Sequence, residues 1–216
     1  MVRAVIFDMD GVLVDTEPYY QEIIEDYLES FGVKLTREQM LRFPGRRFLM
    51  AMEEFKDQIS EETYRRIVEE FVPWTVDYAK LIRREVPLLF RQLRKMGLTI
   101  AIASNSTQEK INMLLNNFGL KEYVEFAISG ASFGRGKPEP DIYIGTCERL
   151  GLDPSECVAV EDSDYGLQAA ASAGCKVVCL IDRRFAFRQD TAEFWIESLR
   201  DLPAVIEQIN SVDKGM

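Results

Sequence analysis

Histidine is absent from all 216 residues of the chain. That absence removes Ser-His-Asp and Cys-His catalysis, histidine metal ligands and histidine proton shuttles. Acid–base work must then fall to carboxylates, Lys, Tyr or Cys. Cysteine is scarce: Cys147, Cys157, Cys175 and Cys179 include no Cys-x-x-Cys pair, and they read as buried thiols of a chain kept in the cytoplasm. Basic charge is in deficit, with 26 Lys and Arg against 36 Asp and Glu and a net charge of −10. Binding to a nucleic-acid phosphate backbone is therefore not expected. An anionic substrate would need local positive charge, from a metal or from a few Lys and Arg. Long apolar runs are missing too. The N-terminal one is broken by Asp8 and Asp10, so it is read as neither a signal peptide nor a membrane span. A cytoplasmic monomer, without membrane or nucleic-acid partner, is the expectation by default.

What is present has the composition of a globular chain, 47% hydrophobic and 29% charged, long enough for one or two domains. Several segments share one grammar. An apolar, β-branched run leads through a polar turn into a helical pattern, and a glycine stops it. Residues 4–8, "AVIFD", open the series. Residues 98–104 repeat it ahead of a predicted helix over 107–118, closed by Gly119. Residues 157–162 lead to a predicted helix over 164–173, closed by Gly174. Further strands are predicted at 122–130 and 176–182. Glycine just past a helix is a left-handed stop. Apolar strands alternating with helices imply a doubly wound parallel α/β sheet, covered on both faces.

The stretch between Glu17 and Arg83 departs from this grammar. Tyr20, Ile23, Ile24, Tyr27, Leu28 and Phe31 recur at helical spacing before Gly32. Thr36 and Gln39 fit a capping box, and another helix is expected from near Ser60. A small helical domain over 17–83 is expected, inserted into a core made of 1–16 and 84–216.

Four constellations carry candidate chemistry. Asp8 and Asp10 are i and i+2 at a predicted strand end, so both carboxylates should point one way. Two such charges about 4 Å apart repel by roughly 4 kcal/mol at an effective dielectric near 20, which calls for a cation, a shared proton or a ligand. Gly11 then allows a close backbone approach or a turn; a plain strand-to-turn boundary fits the same residues. Ser104 ends the second strong strand beside a helix N-terminus, a setting that favours anions. Ser106 and Glu109 have capping-box spacing, which leaves Ser104 and Asn105 for a ligand. Lys137 stands in the Gly/Pro-rich loop "GRGKPEPDIY", where a lone lysine is ordinarily a solvated surface charge. Glu161 and Asp162 end a third strand, although Asp162 or Ser163 would also serve as an N-cap. Ligands in such sheets bind at the carboxyl ends of the strands. Oxygen donors without His or Cys suit Mg²⁺.

"DMDGVLVD", Ser104 after an apolar strand, "GKPEPDIY" and "EDSDYG" closely resemble, in order, the four motifs of the haloacid dehalogenase-like superfamily. The helical insertion resembles its phosphatase and β-phosphoglucomutase branch. The resemblance implies that Asp8 is a nucleophile forming an aspartyl-phosphate and that Asp10 is a general acid and then base. It implies that Ser104, the backbone near Asn105 and Gly11 contact the phosphate, while Lys137 offsets charge there. Mg²⁺ would be held by Asp8, the Asp10 carbonyl and Asp162, with Glu161 a direct or indirect ligand. "PGRRF" offers Arg46 and Arg47 to a second anionic group, with a solvated helix face as the alternative for at least one of them. Mutases of the branch carry a histidine near the position of residues 19–21. Its absence favours hydrolysis of small phosphorylated metabolites, sugar phosphates above all. A β-phosphoglucomutase-like isomerase and a non-catalytic binding protein are the alternatives.

Overall fold

Alanine, valine and isoleucine fill the runs that become strands, and their alternation decides which helices each sheet face accepts. A computed structural model describes residues 1–44, 46–133, 136–184 and 191–214. Gly45, ahead of Arg46, and Gly134 and Arg135 of the Lys137 loop lie outside the described residues. The strands are β1 (Ala4–Phe7), β2 (Thr99–Ser104), β3 (Phe126–Ser129), β4 (Cys157–Glu161), β5 (Lys176–Leu180) and β6 (Phe194–Ile196). They form one parallel sheet in the order β3-β2-β1-β4-β5-β6. The helices are α1 (Glu17–Ser30), α2 (Arg37–Met40), α3 (Phe48–Met52), α4 (Glu61–Glu69), α5 (Tyr78–Leu81), α6 (Val86–Lys95), α7 (Gln108–Asn117), α8 (Asp141–Leu150), α9 (Asp164–Ser172) and α10 (Leu202–Lys214). Among the described residues no helix is long and apolar enough to cross a membrane.

Both sheet faces are covered, as the continuous apolar strands require. On one face Val5 and Phe7 join Ile100, Ile102, Val158 and Val160, packed by α6, α7 and α10. On the other, Ala4, Ile6, Ala101, Ala103 and Ala159 meet α8 and α9 through Ile142, Tyr143, Leu167 and Ala170. The small residues of this second face let those helices lie close to the strands. The four cysteines are buried free thiols.

Helices α1 to α4 enclose a third cluster of their own, with Ile24, Leu28, Phe43, Phe48, Met52, Phe55 and Ile67 at its centre. Thr36 and Gln39 make both bonds of the capping box, although α2 is only 4 residues long. Ser60 caps α4 by accepting from the Thr63 backbone N–H. The two segments by which the chain leaves and rejoins the sheet run side by side, with Val14 and Ile82 forming an isolated antiparallel bridge. Val76, Tyr78, Leu81 and Ile82 pack into the first sheet core, so residues 76–82, counted with the insertion in the sequence reading, lie against the sheet.

Two strands differ from expectation. The strand read over 122–130 is confined to Phe126–Ser129, because Tyr123 and Val124 turn back onto the Leu120 carbonyl. Strand β6 has 3 residues and half-exposed Trp195 in its middle, too short and too mixed to give a pattern of its own.

Candidate active site

Strands β2, β1 and β4 are neighbours, so their carboxyl ends bring residues far apart in sequence to one place. Strand β1 stops at Phe7, and a tight turn replaces the pleat. The Leu13 and Val14 N–H groups both donate to the Met9 carbonyl, at 2.9 and 3.0 Å. Asp8 and Asp10 thus reach the same cavity by way of this turn rather than by strand alternation. Gly11 sits in it at φ 82°. A Cβ there would lie 1.9 Å from Asp162 Oδ2, so Gly11 makes room for a carboxylate. The same holds on β4's side, where a Cβ on Gly166 of α9 would lie 2.0 Å from Glu161 Oε2.

The repulsion expected between Asp8 and Asp10 is relieved by giving each its own partner. Lys137 Nζ donates to Asp8 Oδ1 and Glu161 Oε1, each at 2.5 Å, and to the Ala103 carbonyl at 2.8 Å. All three ammonium donors are used. Lys137 is 6% exposed, so the solvated-lysine alternative is excluded. Burial works against its charge, but Asp8 and Glu161 outweigh that and hold the ammonium above its ordinary range. Asp10 Oδ2 accepts from the Ser106 hydroxyl at 2.6 Å. Burial pushes the Asp10 carboxyl up to about 6, with the Asp8 charge adding to the rise and the Ser106 bond opposing it.

Helix α7 is capped by Thr107, which accepts from the Lys110 N–H, and not by Ser106. The capping-box spacing of Ser106 and Glu109 is coincidental, and Ser106 is a residue of the site that sequence reasoning missed. Ser104 accepts from the Ser106 N–H at 3.0 Å. Asn105 Oδ1 accepts from the Lys137 N–H at 3.2 Å, so its carboxamide fixes the lysine loop. On β4's side the cap is Ser163, accepting from the Gly166 N–H, which leaves Asp162 out of the capping role.

Asp8, Glu161 and Asp162 are buried, and each offers an oxygen within 4.8 Å of the others'. Burial raises Glu161 to about 7 and holds Asp162 well above the carboxylate range, with Glu17 and Asp8 adding to it. The Tyr143 hydroxyl donates to Glu161 Oε1 at 2.5 Å. Glu161 Oε2 and Asp162 Oδ2 are buried without a hydrogen-bond partner among the described residues, which a stable interior ordinarily avoids. Three carboxylates against the one ammonium paired with them leave a charge deficit that a divalent cation would close. The residues fit a hard, oxygen-ligated metal.

Above this floor lies a cavity of about 480 Å³ shared by the sheet and the helical insertion. Arg46 and Arg47 both line it, with different engagements. Arg46 binds Glu54 Oε1 at 2.5 Å and the Met50 carbonyl at 3.2 Å, and it lies 5.0 Å from the ring centroid of Tyr165 on α9. Arg47 is exposed. Tyr20, Glu17 and Lys110 also line the cavity, and none carried a sequence signal beyond helical spacing. Burial holds the Tyr20 phenol far above its usual range.

The fold and site define a doubly wound α/β protein whose carboxylates and one buried lysine meet at the carboxyl edge of a parallel sheet, with oxygen donors that fit a metal centre. Residues 5–180 match the haloacid dehalogenase-like hydrolase family, and the chain belongs to it. A phosphorylated carbohydrates phosphatase of Thermotoga maritima is 33% identical over 181 residues, covering 80% of this chain and 82% of that protein. A haloacid dehalogenase family hydrolase of Deinococcus radiodurans, solved with bound phosphate and sodium, superposes with a TM-score of 0.71 at 26% identity, covering 97% of this chain and 96% of that one. The β-phosphoglucomutase of Clostridium difficile shares the fold at a TM-score of 0.76 and 21% identity, covering 98% and 99% of the two chains.

Proposed function

We propose that this hydrolase is a Mg²⁺-dependent phosphatase of small phosphorylated metabolites, sugar phosphates among them, working through a phosphoryl-Asp8 intermediate. The observation that carries the reading is the contrast between two carboxylates at one cavity floor. Asp8 lies against a buried ammonium at 2.5 Å, as an anionic nucleophile needs. Asp10 titrates at about 6, suited to giving and taking a proton near neutrality.

Asp8 attacks phosphorus while Asp10 protonates the departing alkoxide. Asp10, now a carboxylate, takes a proton from water, which attacks the phosphoryl group on Asp8 and releases inorganic phosphate. Ser104, Gly11 and the backbone near Asn105 position the phosphoryl oxygens at the start of α7, and Lys137 holds the nucleophile. Asp8, the Asp10 carbonyl, Asp162 and Glu161 would hold Mg²⁺. When bound, the cation would neutralise charge on the transferring phosphoryl oxygens. Residues 17–83 are proposed to form a cap over a core of 1–16 and 84–216, with its last stretch from Val76 packing back onto the sheet. The separate apolar cluster of α1 to α4 supports that division.

A β-phosphoglucomutase-like isomerase is the second reading, since the fold is shared with one. Against it stands Tyr20 at the cavity wall, where no histidine is available and the phenol holds its proton. The deciding experiment incubates purified protein and Mg²⁺ with a panel of phosphate esters, following phosphate release and sugar-phosphate isomerisation. Phosphate release that excess chelator stops is expected. Absence of both reactions would sink the enzymatic reading, and isomerisation faster than hydrolysis would reverse the two readings.

A further inference from the structure

The floor of the cavity is polar, and its outer lining, which includes Gln21, Arg46 and Arg47, also carries a large aromatic face. Tyr20, Phe48, Phe71 and Trp74 form that face, with Leu49 and Met50 at the mouth. The rings are set against one another before any ligand arrives: Phe48 to Phe71 at 4.7 Å, Phe71 to Trp74 at 5.0 Å and Phe48 to Trp74 at 5.1 Å between centroids. Leu49 and Met50 are 40% and 49% exposed. Adjacent large apolar side chains left open beside an aromatic wall mark a contact surface. Arg46, which sits among them, gives its charge to Glu54 at 2.5 Å and its face to Tyr165.

A polyol pressed against this wall loses water from its hydroxyls and finds few partners in exchange. A flat apolar group buries its own surface and stacks on rings that are already ordered, so little rotamer freedom is lost. We infer that the outer compartment selects phosphate monoesters whose leaving group presents a flat, largely apolar face, in preference to open-chain polyol phosphates. This inference rests on the phosphatase reading and names the substrate class within it.

The test compares benzyl phosphate with glycerol phosphate and sorbitol phosphate, three esters of primary alcohols with similar leaving-group chemistry, and uses ethyl phosphate as the small reference. A kcat/KM for benzyl phosphate about 10- to 100-fold above the polyol esters is expected, the range hydrophobic pockets deliver. Trp74→Ala should remove about tenfold of that preference, read as the ratio of benzyl to ethyl phosphate, and Leu49→Ser, at an exposed position of α3, about threefold. Polyol esters turned over as well as benzyl phosphate, or variants that slow all esters in proportion, would overturn the inference. Binding is measured in parallel by calorimetry with Mg²⁺, using phenethylphosphonate and dihydroxybutylphosphonate. Tighter binding of the former without hydrolysis of any ester would overturn the phosphatase reading and keep this one. Equal binding of the two phosphonates would overturn this one alone.

Discussion

Ser106→Ala tests the proton chemistry of Asp10 through the residue whose hydroxyl is hydrogen-bonded to it. The Ser106 hydroxyl donates to Asp10 Oδ2 at 2.6 Å, a bond made to the charged form of the acid. A hydrogen bond to a charged group is worth about 1.5–3 kcal/mol net, and about 1.4 kcal/mol corresponds to one pKa unit. Asp10 faces the cavity and is only partly buried by accessible surface, so water replaces some of the lost bond and the lower end of that range applies. Losing the bond disfavours the carboxylate, so the Asp10 titration should move upward, from about 6 by roughly one unit. In the proposed first step Asp10 carries a proton, and kcat/KM reports that step for the free enzyme. The alkaline limb of kcat/KM should therefore move to higher pH by about one unit in Ser106→Ala. The substrate's own phosphate titration is common to both enzymes and cancels in the difference. Ser106→Thr, which keeps the hydroxyl, should restore the original limb. A limb that stays in place or moves to lower pH would refute the assignment of Asp10 as the acid or of Ser106 as its partner.

Asp8→Asn should lower turnover by at least about 10⁴-fold, as expected for loss of a covalent nucleophile, while circular dichroism and the melting temperature show an intact fold. Stability without metal should fall with rising pH. Glu161 binds its proton more tightly folded than unfolded, so its favourable contribution is complete below pH 4.5 and disappears as pH rises through about 7. The displacement corresponds to roughly 3 kcal/mol. Denaturant titrations at pH 5 and pH 8 should show that loss, and saturating Mg²⁺ should reverse it at pH 8. A flat profile would contradict the burial of an unneutralised Glu161. Gly11→Ala should weaken Mg²⁺ binding at least about tenfold, measured by calorimetry. Its Cβ would occupy the place of Asp162 Oδ2, 1.9 Å away, and φ of 82° adds about 1–2 kcal/mol of backbone strain.

The sheet and its motifs were legible because each strand is a short apolar run that ends in its polar residue. Asp8, Ser104, Glu161 and Asp162 stand at or just past the ends of β1, β2 and β4, and strand order alone then places them together. Lys137 was legible only by resemblance. Its loop gives no local reason for burial, and the bonds that bury it reach Asp8, 129 residues away in sequence. Ser106 was hidden by a local pattern, since capping-box spacing accounted for its hydroxyl without reference to Asp10. Tyr143 reads as an ordinary helical core residue, and only the packing of α8 on the sheet carries its hydroxyl to Glu161. The aromatic wall was invisible for a similar reason. Periodicity locates Tyr20 on a helix face, but it does not say that Phe48, Phe71 and Trp74 meet that face.

The notches at Gly11 and Gly166 bear on how the gene tolerates change. Glycine codons have no synonymous escape at their first two bases: any single-base change there installs a side chain or a stop. At both positions the first carbon of that side chain falls on a carboxylate proposed to hold the metal, 1.9 Å from Asp162 and 2.0 Å from Glu161. A saturation library selected for activity should consequently hold residues 11 and 166 as tightly as it holds the acids themselves. The intolerance would belong to two positions that contribute no side chain, where the space left by its absence is what the neighbouring carboxylates occupy.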